Sequence, residues 1–219
     1  MSEVSEEFVA TPVGPARITW YPAGGSQRAL ALLGHGSATG IESADLQALA
    51  EALPGLGITV GLVTQPYRLE GNPAADEASL DLAWTAVWTA ATTAVRAAAG
   101  GEGVPVIAGG RSAGAQVACR TAAWLGARAV LALAYPLLGP GSPRELLATG
   151  RPTLVVQGGA DPFGRPGQFP PLPPEIELVE IPAASHIFGT GSCIPRSAVM
   201  GRITTAVTEW ANRQLPGLV

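Results

Sequence analysis

The sequence predicts an α/β fold, a mostly parallel sheet with helices on both faces. Three observations lead there. Short apolar runs alternate with longer segments of helical spacing. Glycine and proline clusters punctuate the joins between them. The 219 residues are 47% hydrophobic and 14% charged, with a mean hydropathy of +0.27, enough apolar material for one substantial core.

The elements follow in order. RITWY (17–21) reads as an early strand closed by the turn signal PAGG. ALALL (29–33) is a buried strand ending in GHGSATG. ADLQALAEAL (44–53) has helical spacing, and Pro54 to Gly57 end it. ITVGLV (58–63) is the next strand, and TQPYRLEGNPAA after it reads as loop. Residues 76–99 form the longest helix, opened by Asp76 and Glu77 and closed by Gly100 and Gly101. Trp84 and Trp88, four apart, share the face expected to pack on the sheet. VPVIAG (104–109) is a strand, AGAQVACRTAAWLG (113–126) a helix, and AVLALAY (129–135), TLVVQG (153–158) and IELVEI (176–181) are strands. A helix over 197–215 completes the chain. Without internal repeat or linker, residues 1–219 read as one domain.

Composition excludes several chemistries. All thirteen basic residues are arginine, so no Schiff-base lysine, phosphate-loop lysine or Tyr-x-x-x-Lys pair exists. The net charge of −4 carries no footprint for nucleic acid or anionic membrane. Cys119 and Cys193 are too few for a disulfide framework, and Cys119 reads as a small core residue. Two histidines, His35 and His186, without a Cys/His cluster leave no metal-ligand spacing. The first residues, MSEVSEEFVATPV, are acidic and lack an apolar signal core, and no apolar run spans a bilayer. The expectation is a cytoplasmic protein, with a homo-oligomer possible but not indicated.

In a parallel sheet the ligand site lies at the carboxyl ends of the strands, so functional residues are expected directly after strands. GGRSAGAQ (109–116) meets that test. Ser112 lies between the strand from 104 and the helix from 113, flanked by Gly110 and Gly114. A sharp strand-to-helix turn lifts a nucleophile clear of the sheet, and side chains two positions either side would clash. The backbone N–H of Ala113 then faces developing negative charge. The spacing alone is a weak signal in a chain with 28 glycines, and an incidental serine is the alternative.

A serine nucleophile needs a base oriented by a third group, in the chain order Ser, Asp or Glu, His. Asp161 follows the strand 153–158 in GGADPFG, although Asp-Pro also starts turns. His186 follows the strand 176–181 in AASHIF; its alternative is a surface loop histidine. LLGHGSATG (32–40) offers a second oxyanion donor at Ser37, with Ala38 as its alternative, and His35 and Gly36 shaping the turn. The same loop also reads as a dinucleotide loop, G-x-G-x-x-x-G, but GLVT (61–64) carries no acidic residue for a ribose.

On these pieces the chain resembles the α/β-hydrolase superfamily. More narrowly, it resembles the small bacterial hydrolases grouped with a testis-expressed protein and with the hydrolase-like domain of a histone-acetylation-complex subunit. Dienelactone hydrolases are more distant. LLGHGSATG, VGLVTQPY, GGRSAGAQVA, LALAYPLLGPG, TLVVQGGADPFG and the ASH of AASHIF carry the likeness over roughly residues 29–190. The resemblance implies a Ser-Asp-His triad at Ser112, Asp161 and His186, with backbone donors at the His35-Gly36 turn and after the serine. Ala113 stands where relatives often carry a bulkier residue, and Ile187, Phe188 and Gly189 where a polar or basic one often follows the histidine. Serine at 112 instead of cysteine argues against dienelactone hydrolysis itself.

The expected activity is hydrolysis of a small ester or thioester with neither metal nor organic cofactor. The chain between Tyr135 and Thr153 is too short for a lid domain. Tyr67, Leu137, Leu138, Phe163 and Phe188 are expected at the rim of an open site, with ordinary core packing as the alternative for each, beside a stiff, extended proline-rich surface segment, 163–174. The alternative suggested by the histone-complex relative is a silent interaction domain.

Overall fold

The computed structural model describes residues 3–98, 103–139, 141–191 and 194–215. Gly100, Gly101 and Cys193 lie outside them. Two strands, β1 (Ser5–Thr11) and β2 (Gly14–Tyr21), form an antiparallel hairpin at one edge of the sheet. Six more, β3 (Ala29–Gly34), β4 (Ile58–Thr64), β5 (Val106–Arg111), β6 (Ala129–Leu133), β7 (Thr153–Gly158) and β8 (Ile176–Ile181), run parallel. Together they make one eight-stranded sheet in the order β1-β2-β4-β3-β5-β6-β7-β8. β3, β5, β6 and β7 are buried along their whole length, as strands covered on both faces must be.

The sequence pattern does not reveal β1. Only Val9 of SEEFVAT is buried, because the strand is held by backbone pairing to β2 and not by an apolar face. β2 also begins three residues earlier than RITWY suggested, since it pairs with all of β1.

α1 (Ala44–Ala52) and α6 (Arg196–Gln214) cover one face, placing Leu46, Leu49, Ile203 and Trp210 in the core. α3 (Glu77–Ala98) and α4 (Ala113–Leu125) cover the other. Trp84 and Trp88 are buried there, 1% and 5% exposed, as their spacing predicted. Two short helices lie where the sequence read as connection. α2 (Pro66–Leu69) begins at a proline pre-set for a first turn. α5 (Pro143–Leu147) is capped by Ser142, whose side chain accepts from the Arg144 N–H. Four- and five-residue helices are too short to show a periodicity. α5 is the only helix between β6 and β7 among the described residues, so no cap domain stands over the sheet there.

Candidate active site

β3, β4, β5, β7 and β8 all release their chains at the same edge of the sheet. His35, Gln65, Ser112, Asp161 and His186 therefore gather from distant parts of the sequence. The parallel register makes this convergence unavoidable.

Ser112 sits at the β5–α4 junction with φ 51° and ψ −117°, a strained conformation for a residue with a side chain. Its N–H donates to the Leu133 carbonyl at 2.9 Å, and its carbonyl accepts from Gln116 N–H at 3.1 Å, opening α4. The two flanking glycines are required by close approach. A methyl at Gly114 would come 2.5 Å from the Gly34 oxygen, and one at Gly110 would strike that same carbonyl. Gly36 completes the contact, since a methyl there would lie 3.3 Å from Ser112 Cβ. The glycines of the 34–40 loop thus seat it against the serine turn.

The side chains form one chain of hydrogen bonds. His186 Nδ1 lies 2.8 Å from Asp161 Oδ2, and its Nε2 lies 2.9 Å from Ser112 Oγ. A carboxylate only accepts, so Nδ1 carries the proton and Nε2 is free to accept from the serine hydroxyl. Asp161 is fully buried, while Ser112 and His186 are half-buried and reachable from solvent. Asp161 Oδ1 also accepts the Phe163 N–H at 2.8 Å, and Oδ2 accepts from Gln157 Nε2 at 3.0 Å. These bonds compensate the carboxylate for lost water.

His35 is built differently. It is 2% exposed; Nδ1 faces the Gly36 carbonyl at 2.9 Å and Nε2 accepts the Gln65 N–H at 3.1 Å. Burial pushes its pKa below the ordinary imidazole value, favouring the neutral Nδ1–H form. It ties the loop after β3 to the end of β4. Among the described residues, the N–H groups of Ser37 and Ala113 have no protein acceptor. Ser37 lies beside the Tyr67 hydroxyl, and burial raises the Tyr67 pKa.

The expected rim divides. Leu138 and Phe163 are 42% and 38% exposed, and the Phe163 ring meets the His186 ring edge-on at 4.7 Å. Tyr67 is buried against His35, ring centroids 5.7 Å apart, and Leu137 is buried behind Phe163. Phe188 departs from the rim altogether. It is 1% exposed in the core with α6, because the tight turn after His186 returns the chain inward: Phe188 N–H donates to Ser185 O, with φ 54° at Phe188. Ile187, 64% exposed, takes the outward position instead. The 163–174 segment is not wholly a surface spacer, since Phe169 and Leu172 pack on the core.

Two buried residues escaped the sequence reading. Gln157 Nε2 contacts Asp161 and the carbonyls of Tyr135 and Gly164. Arg111 donates to the His186 carbonyl. Each left one signal, a polar residue near the carboxyl end of an otherwise apolar strand.

The dinucleotide reading finds no support. The strand order differs from the 3-2-1-4-5-6 arrangement of such sheets, and Gly34 and Gly36 are occupied by Gly114 and Ser112.

Comparison with known proteins agrees with this fold. A lid-less α/β serine hydrolase from Xanthomonas campestris superposes with a TM-score of 0.75 at 23% identity, covering 99% of this chain and 97% of that one. A dienelactone hydrolase from Anabaena variabilis gives 0.73 at 21% identity, covering 97% and 98%. Esterase 2 from Thermogutta terrifontis, phosphorylated by paraoxon, gives 0.68 at 15%, covering 97% and 95%. No curated protein sequence matches at a significant level. Residues 27–211 match the alpha/beta hydrolase domain, so the chain belongs to that family.

Proposed function

We propose that the protein is a serine hydrolase that cleaves a small carboxylic ester or thioester through an acyl-enzyme intermediate. One observation carries the reading: the unbroken sequence from Asp161 through His186 to Ser112, with separations of 2.8 and 2.9 Å, ending at a strained strand-to-helix turn.

In this reading Ser112 Oγ attacks the acyl carbon while His186 Nε2 takes its proton. The carbonyl oxygen becomes an oxyanion, held by the N–H groups of Ala113 and Ser37 at the start of α4 and in the facing loop. His186 returns the proton to the leaving alcohol or thiol. Water, deprotonated by His186, then attacks the acyl-serine and releases the acid. Asp161 holds the imidazole tautomer and balances the imidazolium charge. No metal or organic cofactor takes part. Leu138, Phe163 and Ile187, exposed around His186, favour an apolar group on the ester. The motif GGRSAGAQVA supports kinship with the small bacterial hydrolases related to the testis-expressed protein.

An organophosphorus probe suits the test, given the similar fold of an esterase phosphorylated by paraoxon. Fluorophosphonate should label wild type and fail on Ser112→Ala and His186→Ala; a panel of short esters and thioesters then defines the substrate. Folded wild type that resists labelling would refute this reading and favour a silent interaction domain.

A further inference from the structure

Arg111 is the last residue of β5 and directly precedes Ser112. Its side chain is only 3% exposed, so a permanent positive charge lies in the interior. The guanidinium donates in three directions: Nε to Asp45 Oδ2 at 2.9 Å, Nη1 to Thr39 Oγ1 at 2.9 Å, and Nη2 to the His186 carbonyl at 2.5 Å. The acceptors belong to three separate segments: the first turn of α1, the loop after β3 and the loop after β8. The two loops carry Ser37 and His186. Gly36 is also seated on this side chain, since a methyl there would lie 3.3 Å from Arg111 Nη1.

Burying a charge is costly unless it is paired. Asp45, with its side chain 5% exposed, supplies the counter-charge from the first turn of α1, where the helix dipole favours a carboxylate. A well-packed apolar side chain commonly stabilises such a site as much as an ion pair does, so stability alone does not account for this one. Geometry does. A planar guanidinium fixes the angles between its donors, and a lysine ammonium does not.

We infer that Arg111 is a positioning residue that sets the oxyanion loop and the His186 loop at a fixed distance on either side of Ser112. The inference rests on the serine-hydrolase reading. It assigns Arg111 no contact with substrate; the residue acts through the Thr39 side chain and the His186 main chain.

The test compares wild type, Arg111→Lys, Thr39→Val and the double variant by steady-state hydrolysis of a short p-nitrophenyl ester and by the rate of fluorophosphonate labelling. A displacement of about 1 Å at a reacting group costs on the order of 100-fold, so kcat and labelling rate should both fall about that far in Arg111→Lys, with KM little changed. Thr39→Val should lower the same two rates by about 10-fold, and the double variant should fall no further than Arg111→Lys, because both act through one network. A purely structural role would lower the melting temperature and leave kcat per labelled site unchanged. That result, or losses that simply multiply, overturns the inference. Should Arg111→Lys fail to fold, Thr39→Val decides, since it removes one acceptor without changing shape. Unlabelled wild type would overturn the hydrolase reading itself, and this inference with it.

Discussion

Replacing Asp161 by Asn separates the orientation of His186 from its presence. Asp161 is fully buried and accepts three hydrogen bonds, from His186 Nδ1, Gln157 Nε2 and the Phe163 N–H. An amide has one accepting oxygen. If it keeps the Phe163 N–H, its NH2 group faces His186, which must then present a bare Nδ1 and carry its proton on Nε2. In that tautomer Nε2 cannot accept from Ser112 Oγ, 2.9 Å away. The corresponding Asp-to-Asn change in the triad of a serine protease lowers kcat by about 10⁴, or about 5.4 kcal/mol at 1.36 per decade, and a loss of that order is expected here. The cost to folding is smaller. Gln157 Nε2 retains the carbonyls of Tyr135 and Gly164, so the variant loses roughly the 1–3 kcal/mol of one badly paired buried group. A domain stable by about 5–15 kcal/mol survives that. The assay is ester hydrolysis at neutral pH beside a melting curve. A folded Asp161→Asn protein that keeps more than about a tenth of wild-type kcat would refute the tautomer argument.

Two further outcomes follow from the same packing. Gly114→Ala places a methyl 2.5 Å from Gly34 O, 2.6 Å from Gly34 C and 2.9 Å from His35 O, all backbone that cannot swing aside. The expected cost is about 1–3 kcal/mol, read as a lower melting temperature, at about 2–4 °C per kcal/mol for a chain of this size; an unchanged midpoint would contradict the close approach. For His35, burial lowers the pKa from its ordinary 6.5, so the unfolded chain takes up the proton first as pH falls. Its contribution to stability is complete above about 6.5 and is lost as pH drops below that. Urea midpoints at pH 7.5 and 5.5 should differ in wild type and differ less in His35→Gln, whose amide can still accept the Gln65 N–H. Equal shifts in both proteins would remove His35 from the account.

The sequence by itself determined the sheet and the candidates. Runs such as ALALL and TLVVQG are apolar end to end because parallel strands are buried on both faces. Ser112, Asp161 and His186 were legible as candidates because they follow strands, and strand ends are where a parallel sheet exposes its chain. Gly110 and Gly114 were legible because a sharp turn leaves a mark at fixed spacing. Other features were decided only in three dimensions. β1 is held by backbone pairing that any side chains permit. Phe163 and Phe188 look alike in a sequence, yet a turn sends one to the surface and the other into the core. Arg111 meets Asp45, Thr39 and His186 across separations of 66, 72 and 75 residues, and Gln157 meets Asp161 within a fold that buries both. Periodicity and motif spacing report a residue's own neighbours along the chain. The partners of a buried polar group are set by which strands lie side by side, and no local pattern records that.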